Sequence, residues 1–434
     1  MTDTLPHEWV KIHAGVNPDS PAVVFADDSI SYAELDRRAD GYARSLLDEG
    51  IEAGDLVPLE ATLDPATVIA LVAIPRLGAV PVPYGPHRIE ANGAPRESPY
   101  AVVPTSGSSG RPRGVILTPG NVTAAVEASR RRLGNDSSDR WLLTLPLFHV
   151  GGLSVVWRSF TAGGSVELQP GFDAVGVAAS LSGGSVSIAS LVPTMLHRIL
   201  EVDPGPYYEG IKGVLLGGAP ASGALVERGL AAGLPVLQTY GMTETCSQIA
   251  TVEPGTTQQS LGTAGRPLDG FAVSFDHGEI LIDGPAVSPG YLGETPRVGP
   301  FRTGDLGHVD GEGRLVVTGR TDDVIVTGGE NVRASFVEAA IVTVPEVAHA
   351  VVVGVDDEEW GQVVVAVVES DRVDVSRIED AVGDRLARHE TPKRWILVDR
   401  LPLLPNGKPD RQAARALATE LSRTESSDRL ASDD

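Results

Sequence analysis

Tyr100-Ala-Val-Val-Pro-Thr105-Ser106-Gly107-Ser108-Ser109-Gly110-Arg111-Pro-Arg113-Gly114 is the stretch from which the fold is read. An apolar run at 100–103 leads into three glycines and four hydroxyl residues, and a second apolar run follows. Glycines let backbone N–H groups approach a phosphate closely, and hydroxyls add donors. Arg111 and Arg113 add positive charge. No Lys-Ser/Thr pair follows the last glycine, so this is not a Walker A loop. A surface turn accounts for the Gly and Ser residues but not for the arginines or the two flanking apolar runs.

The same strand-then-helix grain runs outward in both directions, as in α/β layers. Residues 22–25 read as a strand. Ser31 then opens a helix as N-cap, with Glu34 completing a capping box and Gly50 ending it. Runs at 141–145, 186–189, 213–216 and 235–239 read as buried strands, and 119–133, 173–182, 193–201 and 221–232 as helices between them. Past Val324 the grain changes. A short amphipathic helix carries Phe336, Val337, Ala340 and Ile341; Val-rich strands follow at 349–355 and 363–369, a helix at 375–388 and a strand at 395–398. The expected organisation is a large α/β domain over 1–321, a small mobile α+β domain over 322–420, and a disordered tail over 421–434.

Four further motifs place chemistry on turns. Tyr240-Gly-Met-Thr243-Glu244-Thr sets a ring, a hydroxyl and a carboxylate close together. The ring suits a base, and Thr and Glu suit a phosphate with its Mg²⁺. Arg302-Thr-Gly-Asp305-Leu reads as a turn whose carboxylate can accept from ribose hydroxyls. Gly319-Arg320-Thr-Asp322-Asp323 precedes an apolar strand and then Gly328-Gly329-Glu330-Asn331. Finally, Lys408 follows a Pro-Asn-Gly turn, which predicts an exposed loop. Each motif taken singly has a plain structural explanation.

In this order the motifs resemble the adenylate-forming superfamily of acyl-CoA ligases, luciferases and peptide-synthetase adenylation domains, over residues 15–415. The resemblance implies ATP, Mg²⁺ and coenzyme A as reactants and a small-molecule carboxylic acid as partner. It makes Thr105, Ser106, Gly107, Ser108, Ser109, Gly110 and Arg113 the phosphate loop, with Arg113 where relatives usually carry Lys. It gives Tyr240 to adenine, Thr243 to phosphate, Glu244 to the metal, Asp305 and Arg320 to ribose, and Asp322 to the hinge. Lys408 matches the adenylation lysine, and Gly328, Gly329, Glu330 and Asn331 the loop facing coenzyme A. Alternation of the two loops at one site needs a domain rotation.

At finer grain the short chain resembles o-succinylbenzoate–CoA ligases of menaquinone biosynthesis. The runs 145–154, 190–194, 215–219 and 241–248 carry that likeness. Such an acid has a second carboxylate, and a buried anion needs a cationic partner. Arg198 and Arg158 are the candidates, against surface or structural roles. His149 resembles a gate to the acyl and coenzyme A entry, and Gly217 with Gly218 leaves backbone for the acyl ring to lie against. A medium-chain or aryl acyl-CoA ligase and a non-catalytic nucleotide-binding relative remain the alternatives.

Composition narrows the partners. The chain has 434 residues, 42% hydrophobic and 21% charged, and a formal net charge of −23. Such acidity disfavours nucleic acid and anionic membranes. No apolar run is long enough to span a bilayer, and no secretory signal is expected. The single cysteine, Cys246, suits a reducing cytoplasm. Lysine occurs only at 11, 212, 393 and 408. An acidic, Lys-poor surface fits either a high-salt setting or a GC-rich genome. Oligomeric state stays open, a homo-oligomer included.

Overall fold

Alternating apolar strands with helices of opposite amphipathicity leads to a sheet covered on both faces. The computed structural model describes residues 4–26, 28–85, 99–106, 112–321, 323–344, 346–357, 359–370, 373–383, 385–404 and 407–432, with backbone alone at 106, 112 and 422–432. Six strands form a parallel run: Val236–Met242, Gly213–Leu216, Ile188–Leu191, Arg140–Leu143, Ser165–Leu168 and Pro21–Phe25. Asp28–Ser31 closes one edge antiparallel; Ser247–Thr251 and Arg266–Pro267 close the other. Trp141, Leu142, Leu143, Val214 and Val236 in these strands are fully buried. Each such side chain contributes roughly 1.5–3 kcal/mol on burial.

Helix boundaries follow local chemistry. Thr118 caps Pro119–Leu133 by accepting from Asn121 N, and Gly134 ends it in the left-handed region. Ser31 caps Tyr32–Asp48 in the same way. The expected capping box is only half made there, because the Glu34 carboxylate turns to Arg37 and Arg38. An exposed Arg pair outcompetes the reciprocal backbone contact.

Two smaller layers flank the main sheet. Ala101–Ser106 and Pro112–Leu117 pair antiparallel, with Thr105 opposite Arg113. Ala272–Asp276, Glu279–Asp283, Phe301–Val309 and Leu315–Arg320 make a four-stranded antiparallel sheet. Asp305 therefore sits within a strand, opposite Arg320, and not in the turn expected for it.

The C-terminal body has a separate sheet built on the hairpin His349–Asp357 and Gly361–Glu369, with Val324–Thr327, Glu330–Arg333 and Arg394–Val398 beside it. Successive side chains of a strand face opposite ways. Ala350 and Val352 pack with Val337 and Ile341, while Val351, Val353 and Val355 face Ala414 and Ala418. The second face needs a cover, and helix Arg411–Ser432 provides it. The helical backbone runs through Ser432, into the span expected to be a tail. The helix expected over 375–388 is shorter, Val375–Val382, with Gly383 at its end.

One polar knot joins distant parts of this body. Arg411 reaches Glu338 at 2.7 Å and Asp323 at 3.3 Å, and Glu338 also accepts from Val352 N at 2.7 Å. Burial raises the Glu338 carboxyl above its ordinary range, and Arg411 opposes that shift. Asp322, the expected hinge, lies outside the described residues. Among the described residues no helix is long and apolar enough to cross a membrane.

Candidate active site

The site is built where strands of the main sheet and the four-stranded sheet end together. Tyr240 lies at the open end of Val236–Met242, and its hydroxyl donates to Asp305 Oδ2 at 2.6 Å. Arg320 Nη1 donates to Asp305 Oδ1 at 3.1 Å. Asp305 is only 8% exposed, so this paired, buried carboxylate is fixed in direction. Burial, then Asp305, pushes the Tyr240 hydroxyl above the usual tyrosine range. A base stacking on the Tyr240 ring would meet a ring that its own hydroxyl already anchors.

Lys408 joins this cluster from the C-terminal body. Its side chain runs across Gly218, where an added Cβ would stand 3.0 Å from Lys408 Cε. Gly218 also has φ +83°, a backbone conformation that favours glycine there. Thr194, in the first turn of helix Pro193–Val202, donates to the Gly407 carbonyl at 2.5 Å and holds the lysine turn against the larger body. Lys408 is thus half-buried rather than on the exposed loop expected. Burial lowers its ammonium from the ordinary lysine range, and Asp305 opposes that fall. Gly217 serves packing, since a Cβ there would meet Thr239 Cγ2 at 2.7 Å.

His149 is the N-cap residue of helix Val150–Ala162, its ring against Phe148 at 4.6 Å. Burial, then the nearby Lys408 charge, lowers its pKa to about 4. The imidazole is neutral at pH 7 and adds no cation beside Lys408.

Thr243, Glu244 and Thr245 form one 3-10 turn after Tyr240. Glu244 Oε1 accepts from the Tyr291 hydroxyl at 2.9 Å. Among the described residues no hydrogen bond engages Glu244 Oε2. A carboxylate with one oxygen left to bond would suit Mg²⁺, which keeps several waters and shares its shell with substrate phosphates. Groups of three or more His, Cys, Asp or Glu side chains that could hold a metal are absent among the described residues. Arg113 lies over the Tyr291 ring at 3.7 Å and 3.8 Å from Glu294. Tyr291 was not read from the sequence as a site residue. Its signal is the Ser288-Pro-Gly-Tyr291 turn, but only the fold carries that turn to Glu244. Of the expected phosphate loop, Gly107, Ser108, Ser109 and Gly110 lie outside the described residues, as does the Ser106 side chain.

The two arginines proposed for an acid's second carboxylate part ways. Arg158 is 4% exposed, donates from Nη2 to Ser247 Oγ at 3.1 Å, and stands over the Trp141 ring at 5.7 Å. No carboxylate pairs with it among the described residues, and burial lowers its pKa to about 10. Ser247 and Cys246 have φ +93° and +54°, so Arg158 braces a strained turn. Cys246 is buried, its thiol pushed up to about 12. Arg198 is half-buried on helix Pro193–Val202. Thr194 and Arg198 are four residues apart, hence on one helix face. That face meets the C-terminal body, with the His197 ring 5.4 Å from His349.

Gly328 and Gly329 form the two-residue turn of a hairpin, with Thr327 opposite Glu330 and φ +57° and +84° at the glycines. Gly328 N donates to the Trp360 carbonyl at 2.9 Å. Glu330 and Asn331 open the returning strand. The loop is held from within its own body, while Lys408 is the part of that body tied to Gly218 and Thr194.

Residues 10–92 and 87–292 match the AMP-binding enzyme family, and residues 337–408 match the AMP-binding enzyme C-terminal domain. The chain is 35% identical to a 2-succinylbenzoate–CoA ligase of Bacillus licheniformis, across 91% of this chain and 96% of that one. Its fold is similar to that of the Bacillus subtilis o-succinylbenzoate CoA synthetase in complex with its acyl-adenylate intermediate. The TM-score is 0.83 and the identity 30%, covering 93% of this chain and 97% of the other. The same Bacillus subtilis synthetase in complex with ATP and magnesium ion matches with a TM-score of 0.82, at 30% identity, over 93% and 98%.

Proposed function

This chain belongs to the AMP-binding enzyme family, and from that premise we propose that it converts 2-succinylbenzoate to its coenzyme A thioester. It is an AMP-forming CoA ligase. The observation that carries the reading is the seating of Lys408 over Gly218, in the field of the Asp305–Arg320 pair that also holds Tyr240.

In the first step a carboxylate oxygen of the acid attacks the α-phosphorus of ATP, and pyrophosphate leaves. Anion approaches anion, so the barrier is largely electrostatic. Lys408 offsets charge at the attacked phosphate, and Arg113 does so at the leaving pyrophosphate. Glu244 would hold a Mg²⁺, which when bound would supply further neutralisation of phosphate charge. Asp305 orients the ribose, with its direction fixed by Tyr240 and Arg320. In the second step the coenzyme A thiol gives up its proton to solvent as its sulfur bonds to the acyl carbon, and AMP departs with the bonding pair. The Gly328, Gly329, Glu330 and Asn331 hairpin takes over from Lys408 in that step, after a turn of the small body about Asp322. Domain limits of 1–321 and 322–420 follow from that division of labour.

The acid's second carboxylate is met by Arg198. This arginine is accessible and shares a helix face with Thr194, which holds the Lys408 turn. Arg158 is sealed and committed to Ser247. His149 guards the acyl entry as a neutral ring. A cytoplasmic setting and menaquinone biosynthesis follow from the same reading.

The test is thioester formation and AMP release with purified protein, ATP, Mg²⁺ and coenzyme A, in low salt and in multimolar KCl. The acids are 2-succinylbenzoate, benzoate, 4-coumarate and octanoate. Turnover with 2-succinylbenzoate alone supports the assignment. Preference for octanoate or 4-coumarate replaces the acid while leaving the reaction. No turnover with any acid at either salt sinks the catalytic reading.

A further inference from the structure

The turn carrying Tyr291 laces together two parts of the site that lie far apart in sequence. Ser288 N donates to the Glu244 carbonyl at 2.7 Å. Ser288 Oγ donates to the Ile116 carbonyl at 2.7 Å, Ile116 N to the Gly290 carbonyl at 3.0 Å, and Leu292 N to the Gly114 carbonyl at 2.8 Å. The turn is therefore sewn both to the strand leaving the phosphate loop and to the backbone of the metal carboxylate. Its one large side chain repeats that link. The Tyr291 hydroxyl holds Glu244 Oε1, and the Tyr291 ring lies under the Arg113 guanidinium.

We propose that Tyr291 is a positioning residue that aims the Glu244 carboxylate at the metal and, through its ring, holds Arg113 at the phosphates. The proposal rests on the reading of Glu244 as the Mg²⁺ ligand. Two physical arguments support it. Mg²⁺ demands near-ideal octahedral geometry, so a lone protein carboxylate must present one oxygen in a set direction. A hydroxyl donated to Oε1 leaves Oε2 to do so, and outer-shell donors of this kind tune metal affinity. A planar guanidinium stacks on an aromatic face, which an ammonium does only as a point charge. Arg113 has a side-chain exposure of 42%, and stacking restrains a cation that solvent would otherwise leave free.

The two contacts separate by substitution. Tyr291→Phe removes the hydroxyl and keeps the ring. Arg113→Lys keeps charge and removes the planar stack. Mn²⁺ binding to the ATP-loaded protein, followed by electron paramagnetic resonance, reads the metal directly, and ATP binding without metal, followed by calorimetry, reads the cation. For Tyr291→Phe, Mn²⁺ affinity should fall roughly 10-fold while metal-free ATP affinity stays unchanged. For Arg113→Lys the pattern should invert. Unchanged Mn²⁺ affinity in Tyr291→Phe, where Glu244→Gln does weaken it, overturns the positioning role alone. Unchanged Mn²⁺ affinity in Glu244→Gln overturns the metal assignment and the proposal with it.

Discussion

Arg158 and Arg198 sit on two helices of the same body, and the same chemistry was open to both. Their surroundings set them apart. Arg158 is enclosed between Trp141 and the strained Cys246–Ser247 turn, with a neutral hydroxyl for a partner. Arg198 is half-buried on the helix whose Thr194 and His197 meet the C-terminal body, and its charge acts on His349 there. A buried cation is costly to move and to reach, so it suits a brace. A half-exposed cation can release water to a carboxylate and recover it when product leaves. Charge does not separate the two proposed roles; access does.

The largest effect expected from breaking this contrast is on stability. Arg158→Ala leaves a cavity and an unbraced turn, and should cost about 3–5 kcal/mol by denaturant unfolding. Arg158→Met keeps most of the volume without the charge, and should restore much of that loss. Neither variant should alter the preference for 2-succinylbenzoate over benzoate. A selective rise in KM for the diacid in Arg158→Met would reverse the two roles.

Lys408→Ala should lower adenylation by roughly 10²–10³-fold, measured as ATP–pyrophosphate exchange. Thioester formation from supplied acyl-adenylate should fall far less. Equal losses in both half-reactions would remove the lysine from its step-specific place. Arg198→Ala should weaken the diacid by about 1.5–3 kcal/mol, the range for a hydrogen bond to a charged group, with KM for ATP unchanged. A parallel loss with benzoate would mean that Arg198 acts on docking rather than on the acid.

The smallest effect concerns pH. Burial, then His197 and Arg198, lowers His349 to about 4 from an ordinary 6.5. Glu369 lies opposite it on the neighbouring strand. Between those values a freed His349 binds protons that the docked one refuses. The docked arrangement should therefore hold above pH 6.5, weaken as pH falls toward about 4, and change no further through this group below that. His349→Gln should flatten the profile, read from energy transfer between dyes on the two bodies. A slope unchanged in that variant would assign the pH dependence elsewhere.

Most elements were legible because their signals are local. The Pro119–Leu133 helix carries its cap and stop within its own sequence, and the Val-rich strands announce themselves by composition. What was misread depends on partners far along the chain. Asp305 looks like a turn residue until Arg320 is set opposite it and Tyr240 bonds to it across 65 residues. Lys408 reads as exposed because the surface that buries it, Gly218 and Thr194, belongs to another body. Helix Arg411–Ser432 was missed because its need arises from a sheet face, not from its own polar sequence. Tyr291 has only a Ser-Pro-Gly-Tyr turn to mark it, and its meaning comes from the two groups that it touches.

The Arg411 knot has a mechanical consequence. Asp323 is the first described residue after 322, and Arg411 stands three residues beyond Lys408. Their ion pair, shared with Glu338, makes the chain entering the small body and the chain carrying the lysine a single crank. In the rotation proposed above for that body, the knot would carry the turn to the Lys408 tip. Slack in the knot would appear as backlash, with the lysine lagging behind the body that carries it.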